Sequence, residues 1–179
     1  PKDGNVPPRI AETPSGILNS VGLQNPGIDK FINDYLPVLK KEGNVIIANV
    51  AGATLDDYVQ TCAKLDSTDV DMIELNISCP NVKQGGATWG VTCEGAASVT
   101  KAVRAATKKP IMVKLTPNVT NIVDIAKAVE SEGADCVSLI NTLLGMRIDT
   151  RTRRPILHNN VGGLSGPAIF PVAVRMVWQ

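Results

Sequence analysis

Four short apolar runs alternate with helical patterns along this chain, and this alternation constrains the fold more than any other feature of the sequence. The runs occupy residues 45–50, 72–77, 111–115 and 136–140. Short and nearly continuous apolar runs are typical of strands that are buried on both faces of a parallel sheet. The order therefore predicts repeated β-α-β units, which build either an open doubly wound sheet or a closed eight-stranded barrel.

Three helices are predicted by apolar residues that recur at three- and four-residue steps. The first stripe is Leu55, Tyr58, Val59, Cys62 and Leu65, the second is Ala96, Val99, Val103 and Ala106, and the third is Ile122, Ile125, Ala126 and Val129. Thr120 is the expected N-cap of the third helix, and Gly133 is its expected end. A last helix is expected over residues 167–179.

Amide and amine side chains stand at the ends of the predicted strands. They are Asn49, Asn76, Lys114 and Asn141, and Asn19 follows a further apolar pair in the same way. Barrel enzymes collect their catalytic groups at the carboxyl ends of their strands. The series therefore favours an α/β-barrel with one shared polar pocket. Lys114 supports a functional interpretation, because burying an unpaired charge inside an apolar strand is costly.

The predicted barrel is incomplete. A (β/α)8 TIM barrel takes roughly 250 residues, whereas this chain has 179 and its pattern gives only about five or six strands. We expect the first strand and the last two strands to be missing, and residues 1–179 to be part of one barrel domain. The proline-rich residues 1–16 are expected to form an extended connection.

Composition argues against several classes of function. The 18 lysines and arginines are scattered, the net charge is +1 and 3% of the residues are aromatic, a pattern that does not fit a nucleic-acid-binding protein. No apolar run reaches the roughly 20 residues of a membrane span, and the N-terminus shows no signal pattern. A cytoplasmic protein that binds neither nucleic acid nor membrane is expected.

The four cysteines are spaced too irregularly for a metal site, and the one histidine, His158, is far from them in sequence. No bound metal is expected. Cys62 and Cys136 are interpreted as core residues, which is the common setting of a lone cysteine in an apolar neighbourhood. His158 is interpreted as a surface residue.

Cys79 is the cysteine whose neighbours in the sequence favour a functional role. It ends the segment 74–79, Glu-Leu-Asn-Ile-Ser-Cys, and Pro80 and Asn81 follow it. Because a residue before proline is disfavoured in a helix, the thiol is expected at the end of a strand.

Residues 76–81 resemble the class 1 dihydroorotate dehydrogenases. Four further blocks carry the resemblance in the order of that family: Asn-Ser-Val-Gly-Leu-Gln-Asn at 19–25, Val-Lys-Leu-Thr-Pro-Asn at 113–118, Asn-Thr-Leu-Leu-Gly-Met at 141–146 and Gly-Gly-Leu-Ser-Gly-Pro at 162–167.

The resemblance implies an FMN enzyme that oxidises dihydroorotate to orotate in pyrimidine biosynthesis, with Cys79 as the base. The residues implied to bind the substrate are Asn19, Ser20, Val21, Gly22, Leu23, Asn76, Asn81, Asn141 and Thr142. Those implied to bind FMN are Asn49, Asn76, Lys114, Ile140 and Gly166. Asparagine amides both donate and accept, as the edge of orotate requires. The charge of Lys114 suits the flavin edge that becomes negative on reduction.

Residues 81–86 and 143–149 resemble class 1B within this family. That class implies an electron-transfer subunit that carries FAD and a 2Fe–2S cluster, with NAD⁺ as the final acceptor. A homodimer of the catalytic subunit is also expected.

Three alternatives stay open at this point. A dihydropyrimidine dehydrogenase-type flavin domain shares the fold and the loop cysteine, although Asn81 and the pair Asn141 and Thr142 favour dihydroorotate. A cysteine hydrolase would use Cys79 as a nucleophile with His158. A catalytically inactive barrel fragment is the third.

Overall fold

The computed structural model describes residues 1–78 and 89–179. The chain divides into two compact units. One unit combines residues 1–27 with residues 142–179, and the other consists of residues 28–141.

Ten strands and six α-helices follow one another along the described residues. The strands are β1 (Ile10–Thr13), β2 (Gly16–Asn19), β3 (Ile47–Val50), β4 (Met72–Asn76), β5 (Ile111–Lys114), β6 (Cys136–Ser138), β7 (Leu143–Gly145), β8 (Ile148–Asp149), β9 (Arg154–Pro155) and β10 (Gly162–Ser165). The helices are α1 (Ile28–Lys30), α2 (Leu36–Lys41), α3 (Leu55–Asp66), α4 (Cys93–Ala106), α5 (Ile122–Ser131) and α6 (Phe170–Trp178). A π-helical turn, Phe31–Tyr35, joins α1 to α2, and 3₁₀ turns precede α4 (Trp89–Val91) and α6 (Pro167–Ile169).

The unit of residues 28–141 is built on a parallel sheet in the order β3-β4-β5-β6. Each strand pairs with the next one along the chain, so that Ile73 is opposite Ile111 and Val113 is opposite Val137. The predicted alternation of strands and helices is confirmed. Among residues 1–78 and 89–179, the parallel strands number four and do not close into a barrel.

The helix-facing side of this sheet forms the core of the unit. Alternate residues of a strand point to opposite faces, and the buried set on β4 and β5 is Ile73, Leu75, Ile111 and Val113, each 0% exposed. The predicted helical stripes supply the rest of this core, with Tyr58, Cys62 and Leu65 from α3, Ala96, Val99 and Val103 from α4, and Ile122, Ile125 and Val129 from α5. Each large buried side chain stabilises the fold by about 2 kcal/mol.

Side-chain caps start the helices that cover the sheet. Thr54 and Asp57 form a capping box at α3, in which Asp57 N–H donates to Thr54 Oγ1 over 3.2 Å and Thr54 N–H donates to Asp57 Oδ2 over 2.9 Å. The predicted cap of α5 was wrong by one residue. Asn121, not Thr120, accepts the Val123 N–H over 3.0 Å, because its short amide side chain reaches back to the first turn.

The other unit is antiparallel, which the sequence pattern did not predict. Its main sheet has the order β1-β2-β10-β7, and β8 pairs separately with β9. Two expectations are therefore wrong. Residues 1–16 include β1, which forms a hairpin with β2 rather than an extended connection. Asn19 ends an antiparallel strand and does not belong to the series of parallel strand ends.

The glycine-rich block at 162–167 includes a strand of this antiparallel sheet. Residues 162–165 form β10, which lies between β2 and β7. In the part of the chain that the structure describes, no helix is long and apolar enough to cross a membrane.

Candidate active site

One face of the parallel sheet carries the polar strand-end residues, and we call it the polar face. It consists of Asn49, Glu74, Asn76, Lys114 and Ser138, which alternate with the buried core residues along their strands. The register sets them side by side: Asn49 is opposite Glu74, Asn76 is opposite Lys114, and Lys114 is opposite Ser138. Three of the predicted FMN contacts, Asn49, Asn76 and Lys114, are thus brought onto one surface.

Glu74 connects the strands of the polar face through its carboxylate. Oε2 accepts a hydrogen bond from Asn49 Nδ2 on β3, and Oε1 accepts one of 2.6 Å from Ser138 Oγ on β6. Both donors are neutral groups that meet an ionised acceptor, which strengthens such bonds. The side chain is therefore held from both sides of its strand.

A second hydrogen-bond chain lies just beyond the end of β4. Ser78 Oγ donates to Asn76 Oδ1 over 2.8 Å and accepts from Asn141 Nδ2. The hydroxyl of Tyr58 on α3 donates to the backbone carbonyl of Asn76 over 2.9 Å. Asn76 and Asn141, both predicted to bind substrate, are linked through one buried serine.

Ile140 and Asn141 continue the edge of the sheet after β6. The N–H of Asn141 donates to the carbonyl of Leu115 over 3.0 Å, and the N–H of Leu115 donates to the carbonyl of Ser138 over 3.0 Å. Ile140 is half-buried, and its peptide bond with Leu139 is cis. These backbone bonds keep Asn141 beside the end of β5.

The predicted substrate loop, residues 19–23, lies in the antiparallel unit. Asn5 fixes it, because its N–H donates to the carbonyl of Val21 and its Nδ2 donates to the carbonyl of Ser20, each over 2.8 Å. Gly22 and Leu23 both have positive φ, of 80° and 57°. Ser20 Oγ is buried and has no hydrogen-bond partner among residues 1–78 and 89–179.

Thr142 and Gly166 belong to the same unit. A Cβ on Gly163 would lie 1.9 Å from Thr142 Oγ1, so only glycine allows this strand to pass the threonine. Gly163 is also opposite Asn19 in the register of β10 and β2. Gly166 has a φ of 114° and precedes the 3₁₀ turn before α6, a conformation that favours glycine.

Cys79 and Asn81 lie outside the described residues, so their predicted roles stay predictions.

The interpretation of Cys62 as a core residue is confirmed, and burial raises the pKa of its thiol to about 12. Cys136 is half-buried rather than fully buried. His158 is exposed, as expected. In residues 1–78 and 89–179, no group of three or more His, Cys, Asp or Glu is arranged to hold a metal ion.

The polar face fits the flavin that the sequence implied. It offers amides, which both donate and accept, and one ammonium group, which only donates. These are groups that the polar edge of an isoalloxazine ring would bind. Lys114 has no carboxylate within ion-pair distance among the described residues.

Three residues of this region were missed by sequence reasoning. They are Glu74, Ser78 and Ser138. Ser78 links Asn76 to Asn141, and Glu74 joins Asn49 to Ser138. The sequence could have indicated Glu74, because residues two apart in a strand lie on the same face of the sheet, and Glu74 is two residues before Asn76.

Comparison with known proteins places these residues in a family. The family model described as dihydroorotate dehydrogenase matches residues 1–179. The protein named dihydroorotate dehydrogenase B (NAD(+)), catalytic subunit, from Porphyromonas gingivalis is 60% identical over 179 residues, which are 99% of this chain and 58% of that protein. Proteins of the same name are 59% identical in Alkaliphilus oremlandii and 58% identical in Listeria monocytogenes, and each match covers 100% of this chain and 59% of the relative.

The chain thus spans somewhat under three fifths of the length of the curated relatives that it matches. Among solved structures, the carboxyl transferase domain of Rhizobium etli pyruvate carboxylase is 16% identical with a TM-score of 0.45, over 57% of this chain and 18% of that one. That likeness is too slight to bear on fold or function. Because the family match extends over every residue, the chain belongs to the dihydroorotate dehydrogenase family.

Proposed function

We propose that this chain is part of the catalytic subunit of an FMN-dependent dihydroorotate dehydrogenase of the B type, which oxidises dihydroorotate to orotate in pyrimidine biosynthesis. The observation that carries the proposal is the 60% identity, over nearly the whole chain, to a relative named as that catalytic subunit. The polar face supports it, because it brings together Asn49, Asn76 and Lys114, which the resemblance assigns to the flavin.

The residues that would hold FMN are Asn49, Asn76, Lys114, Ile140 and Gly166. When bound, FMN supplies the acceptor for the hydride that leaves C6 of the substrate. Lys114 contributes a fixed positive charge at the end of β5, which stabilises negative charge that develops next to it. Asn49 on β3 and Asn76 at the end of β4 offer amides whose orientation is fixed by Glu74 and by Ser78, respectively.

Asparagine side chains would recognise the substrate. Orotate is planar and has an edge of alternating donors and acceptors, which amides match because each offers both functions. The residues proposed to bind it are Asn19, Ser20, Val21, Gly22, Leu23, Asn76, Asn81, Asn141 and Thr142. The bonds of Ser78 to Asn76 and Asn141 support this assignment, since they order two of these amides.

Cys79 is proposed as the base that takes the proton from C5 of dihydroorotate. A free thiol has a pKa of about 8.5, so a small fraction is thiolate near neutral pH. Its position in the sequence, three residues after the end of β4, supports the role because barrel enzymes place catalytic groups after their strands.

The remaining features follow from the B type. The relatives are named catalytic subunits, which supports a separate partner. We propose that this partner carries FAD and a 2Fe–2S cluster and passes electrons to NAD⁺. The catalytic subunit would form a homodimer in the cytoplasm, and residues 1–179 would belong to a single FMN-binding (β/α)8 barrel domain.

A spectroscopic experiment tests the proposed reaction. The chain is expressed at the full length of its relatives, its visible absorbance is recorded, and dihydroorotate is added without air. We expect a flavin spectrum that bleaches on addition of dihydroorotate. Protein that stays colourless after FMN is supplied, or a flavin that does not bleach, would remove the proposed function.

A further inference from the structure

Among the five residues of the polar face, Glu74 is the one carboxylate. It forms no ion pair with a cation among residues 1–78 and 89–179. It is opposite Asn49 on one side and Met112 on the other, and Lys114 lies two residues beyond Met112 along β5. The carboxylate and the ammonium are thus diagonal neighbours that do not pair.

The hydrogen bonds of Glu74 hold its carboxylate independently of Lys114. Both carboxylate oxygens are engaged by neutral donors, Oε2 by Asn49 Nδ2 and Oε1 by Ser138 Oγ at 2.6 Å. These donors come from strands on either side, so the carboxylate is held in place without drawing the ammonium to it. Lys114 is left to act on a ligand.

The hydrogen bond between Glu74 and Asn49 also determines whether the amide of Asn49 offers its donor, Nδ2, or its acceptor, Oδ1, to a ligand. An ionised carboxylate only accepts hydrogen bonds, so the amide must turn its Nδ2 toward Glu74. The carbonyl Oδ1 of Asn49 therefore faces away from the carboxylate. Asn49 presents an acceptor to any ligand on the polar face, although the amide alone could present either group.

The negative charge also acts at a distance. The pKa of Cys136 on β6 is raised by partial burial and then by the negative charges of Asp135 and Glu74. The field of Glu74 thus extends across β5 to the next strand. Lys114 lies on the strand between them.

We propose that Glu74 is a positioning residue that orients Asn49 and lowers the reduction potential of the flavin bound on this face, an inference that rests on the proposed function. Reduction adds negative charge to the flavin, and a fixed carboxylate nearby opposes it. Glu74 and Lys114 then act with opposite sign on the same potential.

The test compares four variants of the protein at the full length of its relatives. Glu74→Gln keeps the shape and removes the charge, Glu74→Asp keeps the charge, Lys114→Ala removes the cation, and Glu130→Gln removes an exposed carboxylate on α5 as a control. The midpoint potential of the bound flavin is measured by equilibrium titration with a reference dye. We expect a more positive potential in Glu74→Gln, a more negative one in Lys114→Ala, and values near the wild type in Glu74→Asp and Glu130→Gln.

An unchanged potential in flavin-loaded Glu74→Gln overturns the inference. If Glu74→Gln is purified without flavin, the dissociation constant for added FMN is compared instead, and we expect it to be at least about tenfold higher than in Glu74→Asp. Equal dissociation constants for FMN in Glu74→Gln and Glu74→Asp overturn the inference.

If Glu74→Gln does not fold, Ser138→Ala takes its place, because it removes one donor from the carboxylate and leaves the charge. We expect a shift to a more negative potential, and no shift overturns the inference. Wild-type protein that binds no FMN defeats the proposed function itself. Wild-type protein that bleaches with dihydroorotate, with no effect of Glu74→Gln, defeats only the role of Glu74.

Discussion

The hydroxyl of Ser78 donates to Oδ1 of Asn76 over 2.8 Å, and this bond fixes the amide of Asn76 with its Nδ2 group turned away from Ser78. The same hydroxyl accepts from Asn141 Nδ2. One serine of the loop after β4 therefore orients two amides that belong to different strand ends. Each amide therefore has its donor end and its acceptor end in a fixed orientation and does not rotate freely.

Removal of this hydroxyl should weaken substrate binding. We expect Ser78→Ala to raise the dissociation constant of orotate about tenfold, because a buried hydrogen-bonding group left without its partner costs about 1–3 kcal/mol. Ser78→Thr keeps the hydroxyl and should bind orotate nearly as the wild type does. The measurement is a titration of the flavin absorbance with orotate.

Ser98→Ala is the matched control for that experiment. Ser98 Oγ also donates a 2.8 Å hydrogen bond, to the carbonyl of Gly95, but within α4. Equal orotate affinities in Ser78→Ala and Ser98→Ala would show that the Ser78 hydroxyl does not order the site.

The proposed base predicts a pH dependence of flavin reduction. The rate of reduction by dihydroorotate should rise with pH toward about 8.5, where a free thiol becomes thiolate. Rapid-mixing absorbance without air between pH 6 and 9 measures it. Cys79→Ser should lower the rate and move its rise to higher pH, whereas Cys93→Ser, at the exposed start of α4, should leave the profile intact. A flat wild-type profile would exclude Cys79 as this base.

Asp71 should make folding stability depend on pH in the acid range. The hydrogen bond from Lys40 Nζ at 2.6 Å, and then the Ile46 N–H at 2.7 Å, hold the pKa of Asp71 below its ordinary value of 3.8. A carboxyl whose pKa is lowered by folding stabilises the protein above its unfolded pKa. That contribution is lost as the pH falls through its folded pKa.

Asp71→Asn should therefore lower the melting temperature at pH 7 and have a smaller effect below about pH 4. Thermal unfolding at pH 7, 4 and 3 measures the difference from the wild type. Asp69→Asn, an exposed change two residues earlier, is the control. A difference for Asp71→Asn that stays constant down to pH 3 would contradict the assigned cause.

The described thiols should differ in reactivity. Cys62 is 0% exposed and burial raises its pKa to about 12, whereas Cys93 is exposed. Because the thiolate is the reactive form, a maleimide at pH 7.5 should label Cys93 in the folded protein and reach Cys62 only after unfolding. Peptide mass spectrometry assigns the label. Rapid modification of Cys62 in folded protein would mean that α3 does not pack as described.

The parallel unit could be predicted because its side chains repeat with a period. Leu55 to Leu65 gave the buried stripe of α3, and the apolar runs gave β4 and β5 to within a residue. The ends of elements were less certain, as the cap of α5 shows. Thr120 and Asn121 are both good cap residues, and only the fold decides which one the first turn reaches.

The antiparallel unit could not be predicted from the same signals. Gly162 and Gly163 have no side chains that could show the alternation of a strand, so β10 has no strand pattern in the sequence. Gly163 instead meets a packing requirement, the close passage of Thr142, which exists only once the chain has folded. The role of Glu74 was missed for a similar reason, because its partners Asn49 and Ser138 are far from it in sequence.

The strand β4 combines two functions on its two sides. Ile73 and Leu75 face the helices and are 0% exposed, while Glu74 and Asn76 lie on the polar face. A slip of one residue would exchange the two sets, burying a carboxylate in the core and displacing the ligand contacts at once. An insertion or deletion inside this strand would therefore disrupt the core and displace the ligand contacts together.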